Sequence, residues 1–80
     1  MSPWWSLGEY RVGFFSEPGE SGAPHVHISS EKGAAKFWLA PVRLSRNEGF
    51  NEHELGKAKR VVLENEQWLL EEYRKHHSTL

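Results

Sequence analysis

Apolar and polar positions alternate with period two from Tyr10 to Leu44 and recur with helical period from Leu55 to Tyr73. This change of period divides the chain into a β-rich part, residues 7–47, and a helical part, residues 51–77. Tyr10 to Phe15 reads as a first strand with Tyr10, Val12 and Phe14 on one face. Glu17 to Ala23, with Pro18, Gly19 and Gly22, reads as a flexible polar connection. His25 to Ser29 is a second strand, with Val26 and Ile28 toward a core and His25, His27 and Ser29 on a more accessible side. Glu31-Lys32-Gly33 is a turn signal, so this strand and Ala34–Leu39 form a hairpin. Ala35, Phe37 and Leu39 take one face of that third strand, while Lys36 and Trp38 take the other. Pro41 cannot donate to a ladder and ends it. Val42 and Leu44 continue as a short fourth strand with Arg43 pointing the other way, and Arg46-Asn47-Glu48-Gly49 reads as the turn out of the sheet.

The helical part starts at a cap: Asn51 is a good acceptor for orphan helix N–H groups, and Glu54 stands three residues on, as in a capping box. Leu55, Ala58, Val62, Leu69 and Tyr73 form the apolar stripe, widened by Val61 and Trp68. A single helix over 52–76 would be about 37 Å long, against a radius of gyration of about 12 Å for a compact chain of this size. A break is therefore expected at Glu64–Gln67, where four polar residues interrupt the stripe. Gly56 costs about 1 kcal/mol inside a helix unless it allows a close approach. The expected fold class is α+β: a three- or four-stranded, mainly antiparallel sheet with one long or two short C-terminal helices packed on one face. Those helices cover Tyr10, Val12, Phe14, Val26, Ile28, Phe37 and Leu39.

Eighty residues make one domain, 1–80. Cysteine is absent, so no disulfide supports the core, and ten aromatic residues (four Trp, four Phe and two Tyr) supply the apolar area instead. Ten basic and eleven acidic residues leave a formal charge of −1. A nucleic-acid binder usually carries a basic excess, so nucleic acid is not the favoured partner. The small clusters Arg43/Arg46 and Lys57/Lys59/Arg60 read as solvated faces. No apolar run reaches the ~20 residues of a membrane span, and Met1-Ser2-Pro3-Trp4-Trp5 lacks the regions of a signal peptide. These features lead us to expect a cytoplasmic location. Aspartate is also absent, so any carboxylate ligand or base is a glutamate or the chain terminus.

Candidate chemistry centres on Pro24-His25-Val26-His27. Side chains two apart on a strand leave the same face, with Cα atoms about 6.5–7 Å apart. Three uses fit such a pair. A divalent metal needs a third protein ligand, for which His53 is the candidate beside Glu52, Glu54, His76 and His77. Acid–base cleavage of RNA would share general base and general acid between His25 and His27, with Lys36, Arg43 or Arg46 on the phosphate. A protein-binding face would use Trp38, Lys36 and Arg43 with the two histidines, because aromatic anchors dominate binding energy. The favoured reading is the third, taken together with a purely structural pair hydrogen-bonded locally and packed beside Trp38; a divalent metal is possible but not favoured.

The order Tyr10 to Phe15, Pro24-His25-Val26-His27, Ala35-Lys36-Phe37-Trp38-Leu39, Pro41-Val42, Leu44, Asn47 and Gly49-Phe50 resembles a widespread family of small prokaryotic proteins classed only as a domain of unknown function. Its pattern is an aromatic strand, Pro-Pro-His-Val-His-Val, Ala-Lys-Phe-Trp-Leu, and Gly-Phe before a C-terminal helix. Here Ala23 replaces the first proline, and Tyr73 stands where a tryptophan is common. The resemblance implies a small protein partner encoded in a two-gene, toxin–antitoxin-like pair.

Overall fold

The computed structural model describes residues 4–14 and 23–77. Within them, β1 (Trp4–Leu7), β2 (Tyr10–Gly13), β3 (His25–Ser30), β4 (Gly33–Trp38) and β5 (Arg43–Glu48) are followed by α1 (Glu52–Glu64) and α2 (Glu66–His77). The strands form one antiparallel sheet in chain order, β1-β2-β3-β4-β5. The fold is α+β as expected, with five strands rather than three or four. Most of the connection over 17–23, the end of the first strand at Phe15 and the residues before Trp4 lie outside the described residues, as do the side chains of His76 and His77.

The additional strand is β1. It pairs with β2 across the two-residue loop Gly8-Glu9, and Gly8 supplies the positive φ of 65° at the first loop position, where hairpin turns favour glycine. Two boundaries also move at the other edge. Val42 lies in the turn and is buried, while Arg46, Asn47 and Glu48, read as a turn from the sequence, continue β5. The physical reason is the Asn47 side chain. Its Oδ1 accepts from Phe50 N–H at 3.2 Å and its Nδ2 donates to Phe50 carbonyl at 2.9 Å. These bonds delay the reversal to Gly49, whose φ is 98°. Gly33 faces this reversal across the sheet, and its lack of a side chain admits the Gly49-Phe50 backbone.

The helical part breaks at Asn65, inside the expected interval. Asn65 N–H donates to the Val62 carbonyl and its side-chain amide to the Val61 carbonyl, closing α1, while its own carbonyl accepts from Leu69 N–H in α2. Asn51 caps α1 by accepting from Glu54 N–H at 2.8 Å. The second half of the capping box does not form, because the Glu54 carboxylate turns to Lys32 Nζ at 3.2 Å. Ala58, Val62, Leu69, Leu70 and Tyr73 bury the helices against Tyr10, Val12, Phe14, Val26, Ile28, Phe37 and Leu39. Trp5 packs edge-on to Phe14 and Trp68, with centroids 5.5 and 5.2 Å apart, so it closes this core. Among the described residues no helix is long and apolar enough to cross a membrane.

Candidate functional site

Cross-strand partners in an antiparallel sheet share a face, so the register fixes what stands beside the histidines. One row crosses the whole sheet: Trp4, Gly13, His27, Lys36, Arg46. A second row, one pleat away, is His25, Trp38, Arg43. Both rows lie opposite the core residues Val26, Ile28 and Phe37. The sequence places His25, His27, Lys36, Trp38 and Arg43 on one face, and the structure brings all five together with Arg46.

Their burial departs from expectation. His25, His27 and Lys36 retain 2%, 8% and 7% of their surface, whereas the alternation predicts an accessible side. The His25 ring meets His27 at 5.5 Å, Trp38 at 6.2 Å and Tyr73 at 5.6 Å, each edge to face. Tyr73 reaches it from α2. The Ala23 carbonyl accepts from the Tyr73 hydroxyl at 3.4 Å and from His25 Nδ1 at 3.1 Å. The latter bond puts a proton on Nδ1 and fixes the ring. Lys36 stretches along the sheet, with its Nζ 4.7 Å from the centre of the Trp38 ring, within cation–π range. Trp38 is half-buried, while Arg43 and Arg46 are exposed. Glu48 Oε2 holds Arg46 Nε at 2.9 Å.

Gly13 has no side chain to fill the row between Trp4 and His27. A depression of about 250 Å³ opens on this side of the sheet, lined by Trp4, His27, Ser29, Lys36, Arg46 and Glu48 among others. Its lining brings together the Trp4 indole, the small residues Ala34 and Ala35, and the Arg46–Glu48 ion pair.

Residues 10–74 match the family described as Domain of unknown function (DUF4160). The chain belongs to that family. No curated protein and no solved structure matches it. Several blocks of the DUF4160 chain that stand out in the sequence have structural duties here: Asn47 and Gly49-Phe50 build the turn into α1, and Phe37 and Leu39 are core.

Of the remaining metal candidates, His53, Glu52 and Glu54 do not join the pair, and the side chains of His76 and His77 lie outside the described residues. His53 and Glu52 are exposed at the start of α1 and line a separate hollow with Gly56, Lys57 and Arg60. Glu54 is engaged by Lys32 and Lys57. Among the described residues no three histidine or glutamate side chains gather as a metal-binding group. The Ala23 carbonyl is nevertheless the kind of outer acceptor a ligand histidine uses, and no local sequence pattern marks it.

A second polar cluster was not legible either. Burial alone would raise the Glu54 carboxyl, but the hydrogen bond and charge of Lys32, helped by Lys57, bring it below its ordinary value. The same bond raises Lys32. Burial, reinforced by Glu9 and Glu54, pushes the Tyr10 phenol up. Tyr10 Oη and Glu54 Oε2 are buried with no hydrogen bond among the described residues. These groups tie α1 to the β1–β2 and β3–β4 turns, since Lys57 also meets Glu9 at 3.9 Å.

Proposed function

We propose that this DUF4160 chain is a small protein-interaction module, one half of a two-protein, toxin–antitoxin-like pair, which recognises its partner through the sheet face opposite the helices. The observation that carries the reading is the packing of that face. Both imidazoles are packed among Trp38, Tyr73 and each other, and what remains outward is the half-buried Trp38 with a lysine ammonium over its ring, flanked by exposed Arg43 and Arg46. Aromatic and arginine side chains on an ordered base are the usual anchors of protein interfaces. The depression beside Trp4 would receive one side chain of the partner. The test is co-expression with the product of the adjacent gene. A complex that survives purification is expected, weakened by Trp38→Ala and by Arg43→Glu.

A second reading rests on the depression itself, which brings His27, Ser29, Lys36 and Arg46 to one space. A histidine-dependent nuclease or phosphoesterase would use His27 for proton transfer and the cations for the phosphate. RNA cleavage by the purified chain that His27→Ala abolishes would support it over the first.

A further inference from the structure

β5 is an outer strand, all six of its residues are exposed, and Leu44 keeps 45% of its surface. Its sequence is Arg43-Leu44-Ser45-Arg46-Asn47-Glu48. We infer that this edge pairs antiparallel with β5 of a second copy of the chain, about a two-fold axis between Ser45 and Arg46 and normal to the sheet. Arg43 of each copy then stands opposite Glu48 of the other, and Leu44 opposite Asn47.

The register within one chain makes this arrangement self-consistent. Arg43 aligns with Trp38 and Glu48 with Ala34, on the histidine face, while Leu44 and Asn47 align with Phe37 and Ala35 on the helix face. In a regular strand positions 43 and 48, five apart, would point to opposite faces. The register shift between Lys36 and Phe37 leaves one extra residue in β5 between Leu44 and Arg46. Such a bulge brings the two ends into phase, so that each antiparallel partner pair shares a face. The two bulges meet at the axis, and the paired segments flank them.

Charge order points the same way. An edge guarded by one sign of charge repels a copy of itself. This edge carries both signs, arranged so that reversal of direction superposes arginine on glutamate. Glu48 already holds its own Arg46 at 2.9 Å, so pairing builds a chain from Arg46 through Glu48 to Arg43 of the second copy. That contact also offsets repulsion between the two Arg46 side chains near the axis. Arg46 and Glu48 line the depression, so the second copy's Arg43 would sit at its rim. Pairing takes up Arg43, which also flanks the proposed partner face, but it is tested on this chain alone and also engages Glu48, which the partner complex does not use.

Sedimentation equilibrium of the full chain, from micromolar to millimolar at low salt, tests this. A dimer is expected that dissociates as salt rises. Arg43→Glu and Glu48→Arg should each weaken it about tenfold, and the double variant should return to within about threefold of the parent, because opposed charges directly across a strand pair are restored. Amide NMR shifts that move on dilution should fall on residues 43–48, a readout available even if a single variant fails to fold. A parent chain that stays monomeric, a dimer indifferent to both reversals, or dilution shifts elsewhere on the surface would overturn it.

Discussion

Gly33 and Gly56 show how differently two glycines can be constrained. A Cβ at Gly33 would lie 2.6 Å from Phe50 N and 2.8 Å from Gly49 C. Both are backbone atoms that cannot step aside, so Gly33→Ala should lose about 1–3 kcal/mol in urea unfolding. A Cβ at Gly56 meets nothing within 4 Å, so the close approach that could have justified it is absent. Gly56→Ala should gain about 1 kcal/mol. The Lys32–Glu54 pair gives a pH signature. Glu54 is held below its ordinary 4.5 in the folded chain, so its contribution is complete above that pH and fades as acid protonates the folded carboxylate. Lys32 is held above 10.5, so its contribution is complete below that pH and fades as alkali deprotonates the folded amine. Unfolding midpoints followed from neutral to acid pH should fall less steeply in Glu54→Gln than in the parent. At this scale the sequence was informative about which residues share a face and silent about what lies against it. Alternation identifies the His25/His27 pair, but the burial of His25 depends on Tyr73, forty-eight residues away by number, and no local pattern encodes that contact.

Elements were legible where one face is buried. β3 and β4 have a clean apolar face, and their register follows from the Glu31-Lys32 turn. β5 has no buried residue, so its pattern carries no period, and its end is set by a side-chain bond that only the folded turn reveals. β1 is four residues long, although Gly8 at the first position of a two-residue loop was a readable hairpin signal. The helix cap was readable because Asn51 acts on its own neighbours, and the break because four polar residues at Glu64–Gln67 interrupt the apolar stripe. Asn51→Ala should cost about 1 kcal/mol through loss of the Glu54 N–H acceptor. Asn47→Ala removes two bonds to Phe50, each worth about 1 kcal/mol. It should therefore destabilise more than Asn51→Ala in the same urea series.

On the scale of the whole molecule, a sheet with both helices on one side leaves its two faces with different duties. The helix face holds the core, and the Cα radius of gyration of 11.9 Å fits a short chain folded around one such layer. The other face combines packed histidines with Trp38, Lys36, Arg43 and Arg46. In the proposed function this second face binds a protein, with the imidazoles as its base. The most direct test is calorimetric titration of the chain with the product of its adjacent gene, comparing Trp38→Ala and His27→Gln. Loss of an aromatic anchor should weaken binding about tenfold or more, whereas His27→Gln should leave it nearly unchanged. No binding by the parent chain, or loss of binding in His27→Gln with Trp38→Ala unaffected, would rule out an aromatic protein-binding role for this face.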